Sequence, residues 1–321
     1  MTDAIHTVLG PVDPEEVVGT CLSHEHLVID YGELLGAPKK VPRAEFPVET
    51  QVIENVRAFA SAGGSLLVDC TPPGYGRYSD LMAKVCTVTG VHIVACTGGF
   101  TEQWAPLHPT VRALDTDALA DRFVRECTEG MGGSRYCAGA IKVATGEGHM
   151  TEGEAHVFRA AASAHLVTGA PIITHTTNGL GPEQVEFLVR EGADPARIVI
   201  GHLGFEQDPE GDIRTILERG ANVAFDRIGH RHFFSDSHWI ELIKFVLELG
   251  YDDRVVLSHD AVTEFNGPAE IAAHTFSDYT FITNTFLPAL KDAGVDDPTI
   301  NLLVRENPRR IFSYPDKGGA R

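Results

Sequence analysis

The run Cys21-Leu22-Ser23-His24-Glu25-His26-Leu27 places two imidazoles two residues apart, behind an apolar stretch that begins at Val17-Val18. In extended chain, alternate side chains share a face, so His24 and His26 project together while Glu25 points away. Two histidines on one side of a strand end are half of a metal site. Other metal-capable residues close similar apolar runs. Lys142 lies in Ala138–Val143, His175 ends Pro171–His175, His202 ends Ile198–His202 and Asp260 ends Val255–Asp260. One strand histidine alone would read as a core residue. Four with an aspartate, at the same ends of successive strands, point to metal.

Four imidazoles and a carboxylate exceed the needs of one tetrahedral zinc. They suit two divalent ions roughly 3.5–4 Å apart that share a bridge. An ammonium would be repelled by two such ions, so Lys142 can join them only without its charge. Its neutral amine reacts with carbon dioxide to give a carbamate, an anion whose two oxygens can span both metals. The structural alternative for Lys142 is a strand-end lysine paired with Asp260.

The elements that must carry these residues follow a regular alternation. After the run ending at His26 come strand-like segments Ser65–Cys70, His92–Cys96, Ala138–Val143, Pro171–His175, Ile198–His202, Asn222–Asp226 and Val255–Asp260. Helical patterns lie between them at Val48–Ala62, Ser79–Thr89, Asp117–Thr128, Thr151–Thr168, Pro182–Glu191, Pro209–Arg219 and Ser237–Leu249. Several end at glycine, as Gly63-Gly64, Gly90 and Gly169 do. Strands this continuously apolar belong to a parallel sheet covered on both faces. Eight such units predict an α/β fold, a closed (β/α)8 TIM barrel over residues 1–321, with one domain and the metal site at its C-terminal mouth. The open doubly wound alternative lacks a Gly-x-Gly-x-x-Gly turn after the first strand. Two last helices, about Tyr279–Ala293 and Asp297–Val304, precede Asn307-Pro308 and a glycine-rich tail, Lys317–Arg321, expected to fray.

Composition narrows the partners. Asp+Glu number 45 against Lys+Arg 26, a formal net charge of -19, which repels phosphate backbones and anionic lipid. Nucleic-acid and membrane partners are therefore not expected. The six cysteines form no Cys-x-x-Cys pair, and several sit in apolar runs, as free thiols do in a reducing compartment. No apolar run is long enough to span a bilayer, and no basic-then-apolar leader opens the chain. A cytoplasmic location is the expectation.

Taken together, His24-x-His26, Gly139-Ala140-Ile141-Lys142-Val143-Ala144, Ile173-Thr174-His175-Thr176, Ile200-Gly201-His202-Leu203-Gly204 and Ser258-His259-Asp260 resemble the phosphotriesterase family of the amidohydrolase superfamily. The match runs in register from Gly10-Pro11-Val12 to Glu306-Asn307-Pro308. The resemblance implies one metal on His24, His26 and Asp260, a second on His175 and His202, and carboxylated Lys142 with a hydroxide between them. Some relatives carry glutamate at the lysine position, so Lys142 places the chain nearest the phosphotriesterases and phosphotriesterase-like lactonases. It also implies a dimer, and it gives Asp260 the proton released on attack. Zinc is the first candidate metal, and iron, cobalt and manganese suit the same ligands.

Substrate choice is read from the mouth. Phe225-Asp226-Arg227-Ile228-Gly229 is similar to the Asp-Arg-x-Gly turn of the lactonase branch, which makes Arg227 a pocket and catalytic candidate, with pairing to Asp226 as the structural alternative. At Thr97-Gly98-Gly99-Phe100 the lactonases usually have tyrosine, so Phe100 keeps an apolar wall but drops a hydroxyl. His230 and Arg231, with His232, could bind an anionic group on a substrate or could sit on the solvated side of their loop. The loop Ala261–Asp278 departs from that branch. The expected activity is hydrolysis of a small-molecule lactone or other carboxylic ester, with promiscuous phosphotriester hydrolysis. A dedicated phosphotriesterase and a non-catalytic metal-dependent binding protein are the alternatives.

Overall fold

The computed structural model describes residues 3–32, 34, 47–103, 107–177, 179–272 and 275–315; the tail Lys317–Arg321 lies outside them. The strands are β1 (Asp3–Thr7), β2 (Gly10–Val12), β3 (Thr20–Asp30), β4 (Gly64–Asp69), β5 (His92–Gly98), β6 (Ala140–Glu147), β7 (Ile172–Thr177), β8 (Ile198–Ile200), β9 (Asn222–Phe225), β10 (Val255–Leu257), β11 (Val262–Asn266) and β12 (Ser313–Pro315). From β3 to β10 each strand pairs in parallel with the next, and β11 pairs in parallel with β3. The eighth stave is thus two pieces. β10 lies on β9, with Leu257 opposite Phe225, and β11 lies on β3, with Val262 opposite His26. The break between them, at residues 258–261, closes a (β/α)8 barrel.

Helices at Pro47–Ser61, Ser79–Thr89, Thr116–Thr128, Glu152–Thr168, Gly181–Arg190, Pro209–Glu218 and Asp236–Glu248 cover the outside. Their limits follow local chemistry. Thr151 and Glu154 form a capping box at the start of Glu152–Thr168, and Gly169 ends that helix in left-handed backbone, φ 83°. Of the two last helical segments, the first stays within its expected span, ending at Asp292, and the second runs on past Val304 to Phe312. A π-turn, Leu302–Glu306, precedes the helix Asn307–Phe312, and another, Ile282–Phe286, precedes Leu287–Asp292. Each widened turn sits just ahead of a proline, Pro308 or Pro288, whose missing N–H would otherwise leave a carbonyl without its helical partner.

Period-two alternation sorts the strand residues into two cores. Leu66, Val68, Cys70, Val94, Cys96, Ala140, Ile173, Val199, Ala224 and Val256 fill the barrel, while Leu67, Ile93, Ile141, Ile172, Ile198 and Val223 pack on the helices. A small antiparallel sheet, β12-β1-β2, went unrecognised in the sequence. Its Ile5, together with Val17, Ile311 and Phe312, joins the barrel core. Buried thiols at Cys21, Cys70, Cys86, Cys96 and Cys127 are free, and Cys137 is half-buried. Among the described residues no helix is long and apolar enough to cross a membrane.

Candidate metal centre

Continuing the inward parity of each strand leads directly to the site. Ala140 is followed two residues on by Lys142, Ile173 by His175, and Val256 by Ser258 and then Asp260. Two positions break the parity, and both are repaired by local backbone. β3 shifts register between Leu22 and Glu25, which brings His24 and His26 inward although Cys21 already faces the barrel. β8 stops at Ile200, and His202 is reached through a left-handed residue with φ 59°. Asp260 has φ 56°. They are the two non-glycine residues with positive φ among the described residues, and both belong to this site. The sequence expectation that β8 runs to His202 and the last strand to Asp260 is corrected here. β8 ends two residues earlier, at Ile200, and β10 three residues earlier, at Leu257, because the left-handed backbone at His202 and Asp260 leaves the strand ladder.

His24, His26, His175, His202 and Asp260 line one cavity of about 190 Å³ at the C-terminal ends of the strands. His26 Nε2 is 3.2 Å and His24 Nε2 3.7 Å from Asp260 Oδ1, and His202 Nε2 is 3.9 Å from Asp260 Oδ2. Lys142, 1% exposed, lies beneath them: its Nζ donates to His24 Nε2 at 3.0 Å and to Thr174 O at 3.4 Å. Among the described ion pairs none joins Lys142 to Asp260.

Hydrogen bonds fix the tautomer of all four imidazoles. Asp226 accepts from His24 Nδ1 at 2.6 Å and from His202 Nδ1 at 2.9 Å, so both rings turn Nε2 lone pairs toward Asp260. Thr71 donates its hydroxyl to Val28 O and accepts from His26 Nδ1 at 2.8 Å, which again frees Nε2. Thr177 donates to Thr145 O and accepts from His175 Nε2 at 3.2 Å, which frees Nδ1. Gly201 makes room for this arrangement: a Cβ there would lie 2.8 Å from Asp226 Oδ2 and 2.5 Å from Thr174 O. Four buried imidazoles and a carboxylate therefore converge, and two cationic donors reach them: Lys142 on His24 Nε2 and Arg227 on Asp260 Oδ2. His24, His26 and Asp260 could hold a metal ion. The trio His24, His202 and Asp226 also brings ligand atoms together. Its contacts are the Nδ1–H bonds just described, so Asp226 orients the two rings and leaves each Nε2 turned toward Asp260.

Electrostatics agree with that protonation pattern at His202 and His175, whereas at His24 burial and Lys142 oppose charge but Cys70 and Asp226 outweigh them and push the ring up to about 9. Burial, then the Arg227 guanidinium, push His202 down to about 3. Burial, His202, Lys142 and Arg227 hold His175 well below its ordinary value. Burial works against charge on Asp260, but His202, the His26 contact, His24 and Arg227 outweigh it and keep the carboxyl well below the usual range. Asp226 is held down in the same way by His202 and His24. Neutral imidazoles beside ionised carboxylates are the state that divalent metals require.

The substrate-side residues separate. Arg227 lines the cavity, with Nε on Asp260 Oδ2 at 3.3 Å and its guanidinium over the rings of Phe205 and Phe233 at 5.2 and 5.9 Å. It pairs with Asp260 and not with Asp226. Phe100 lines the cavity too, edge-on to His175 at 5.0 Å. His230 and Arg231 do not line it. His230 is buried, with Nε2 donating to His259 O at 2.6 Å, and Arg231, 59% exposed, pairs with Asp236 at 2.6 Å.

Several residues of the site escaped the sequence reading. Tyr31, Tyr75 and Phe265 complete the wall beyond Phe100. Asp226 stood in the sequence only as Arg227's neighbour, although an acid closing an apolar strand was itself a signal. Glu25 does face away from the cavity, yet it is fully buried, and a charged residue inside so apolar a strand needs partners.

A sequence profile of the phosphotriesterase family matches residues 3–312. The chain belongs to the phosphotriesterase family. It is 33% identical to the phosphotriesterase homology protein of Mycobacterium tuberculosis strain H37Rv, over 96% of this chain and 97% of that one. It is also 33% identical to an aryldialkylphosphatase of Saccharolobus solfataricus, over 92% and 95%. Among solved structures it superposes with a TM-score of 0.85 at 31% identity, covering 96% and 99%, on one described as molecular engineering of organophosphate hydrolysis activity from a weak promiscuous lactonase template. Members of this phosphotriesterase group with such names are hydrolases, and this chain is a hydrolase of the family.

Proposed function

We propose that this phosphotriesterase-family protein is a binuclear metal-dependent lactonase, hydrolysing lactones or other carboxylic esters and, more slowly, phosphotriesters. The observation that carries the reading is the set of four imidazoles, each with its tautomer fixed so that a lone pair faces the same space as Asp260. In this reading His24, His26 and Asp260 hold one ion, His175 and His202 the other, and Lys142, carboxylated on Nζ, serves both. Zinc is the first candidate, and iron, cobalt and manganese accept the same donors. When bound, such ions acidify a shared water and polarise a C=O or P=O group.

The chain's own residues supply the rest. Asp260, kept ionised, takes the proton released on attack and passes it toward the leaving oxygen. Arg227 spends Nε on Asp260 and keeps its remaining N–H groups for a substrate oxygen, while Phe205 and Phe233 hold the guanidinium flat. Phe100 shapes the wall beside His175. A lactone carbonyl and a phosphoryl group both develop negative oxygen at the same place, which accounts for a shared site. His230 and Arg231 contribute from outside the cavity by shaping the loop behind Arg227. Free buried thiols suit the cytoplasm, and family likeness supports a homodimer.

The test is a panel of lactones of varied ring size, simple esters and aryl phosphotriesters, with metal content measured on the same samples. The reading expects lactone kcat/KM to exceed phosphotriester kcat/KM. The reverse order would identify a dedicated phosphotriesterase, the reading that the aryldialkylphosphatase relative favours. Metal-loaded protein that turns over nothing would be a binding protein. Asp260→Asn should lower kcat by about 10²-fold or more, as loss of a general base does; near-native turnover would remove the proton role.

A further inference from the structure

Both left-handed residues of the site are pinned by a buried carboxylate. For His202 it is Asp226, whose Oδ1 accepts the residue's own backbone N–H at 2.8 Å. For Asp260 it is Glu25. Glu25 Oε1 accepts from Ser258 Oγ at 2.7 Å, from His259 N at 2.9 Å and from His259 Nδ1 at 2.8 Å, and Oε2 accepts from Ala261 N at 2.6 Å. The N–H groups on either side of Asp260 are thus both tied to one side chain. Glu25 itself sits between His24 and His26 on β3. His259 is fixed from the other side as well, since its Nε2 accepts from Ile282 N at 3.0 Å, the first residue of a π-turn.

We infer that Glu25 is the positioning residue that registers Asp260 against His24 and His26, so that one strand and the break in the eighth stave present their ligands as a single unit. A left-handed aspartate is costly unless its surroundings over-determine it. A carboxylate with four donors is what a tight break can use: the Asp260 N–H reaches His24 O on β3 at 3.1 Å, and Glu25 takes the N–H groups on either side of it, His259 and Ala261. Ser258 extends the clamp: its hydroxyl also accepts from His24 N at 2.9 Å, and Ser23 donates to Leu257 O at 3.2 Å, so the two staves are sewn together around Glu25. The inference rests on the metal-centre reading above.

The test is Glu25→Gln, which keeps size and one acceptor oxygen but turns an NH2 toward Ala261 N–H or His259. Metal-free wild type and variant are titrated with Co2+, followed by its visible absorption and by metal analysis, and the loaded proteins are assayed on the best substrate of the panel. The expected result is roughly tenfold or greater weakening of one Co2+ equivalent, with the other unchanged. A fall in kcat of similar size should accompany it, with KM within about twofold, since Glu25 touches no substrate-side wall. Ser258→Ala, a milder cut in the same clamp, should weaken the same equivalent by about threefold. If Glu25→Gln binds both equivalents as wild type does, or lowers Tm alone, the role is overturned. If Glu25→Gln does not fold and Ser258→Ala is indistinguishable from wild type, it is overturned too. Failure of the underlying reading looks different: the wild type itself would then take up no more than one Co2+ per chain.

Discussion

On one side of the cavity, His24, His26, His175, His202 and Asp260 stand in a mesh in which each ring has a fixed partner, reaching back to Asp226, Thr71 and Thr177. On the other side, Tyr31, Tyr75, Phe100 and Phe265 meet ring against ring, at 5.0 Å between Tyr31 and Tyr75 and 5.2 Å between Tyr75 and Phe100, and the Tyr75 hydroxyl has no hydrogen-bond partner among the described residues. The polar wall is over-determined. Removing any member strands a buried charge or donor, which costs far more than the bond it made. The aromatic wall is held by area and shape, so its members can be exchanged for others of similar volume. In the proposed function, chemistry is therefore fixed by the first wall and substrate choice is adjusted on the second.

The comparison breaks most sharply at Lys142. Lys142→Ala should lose metal and activity together, by on the order of 10²-fold or more, since changes one step removed from the metal already cost about 10–100-fold. Short carboxylic acids supplied with metal should restore part of both, because they replace the bridging oxygens. Metal analysis and kcat before and after addition decide it. Full metal content in the variant would show that Lys142 belongs to the barrel core and not to the polar wall.

Arg227 stands where the two walls meet, on Asp260 by Nε and on Phe205 by its face. Arg227→Ala should cost about tenfold in kcat/KM for the preferred lactone, the worth of one charge-assisted hydrogen bond, while metal content stays at the wild-type value. Metal loss instead would move Arg227 wholly into the polar wall, and no change in either would make it scaffold.

The polar wall was also the legible one. Ligand residue types are few, they recur at strand ends, and the alternation of strand and helix predicts that those ends converge, so His24, His26, Lys142, His175, His202 and Asp260 could be found together before any coordinates. What could not be read was how β3 and β8, whose parity is wrong, and the break after β10 deliver them. The bulge in β3 and the left-handed His202 and Asp260 depend on Asp226 and Glu25, whose partners lie as far off as residues 258–261. Periodicity carries no information about contacts across more than two hundred residues. The aromatic wall was harder still. Tyr31 and Tyr75 sit in turns just beyond β3 and β4, and an aromatic residue in a turn has the same signature whether it covers a core or lines a cavity. His230 and Arg231 show the converse error: adjacent to Arg227 in sequence, they are turned away from the cavity by the turn at Gly229, φ 95°.

The smallest expected effect tests the aromatic wall itself. Burial pushes the Tyr75 phenol up, so it stays a neutral hydroxyl, and that hydroxyl is buried with no hydrogen-bond partner among the described residues. An unsatisfied buried hydroxyl costs about 1 kcal/mol or more. Tyr75→Phe removes the cost and leaves the ring contacts with Tyr31 and Phe100 in place. It should therefore raise Tm by about 1–2 °C for a chain of this size, while metal content is unchanged and kcat/KM stays within about threefold. A variant that melts lower would mean the hydroxyl makes a bond in solution. One that keeps its Tm gain but loses far more than threefold on a single ring size would show the substrate to be the missing partner, and would move Tyr75 from shape to recognition.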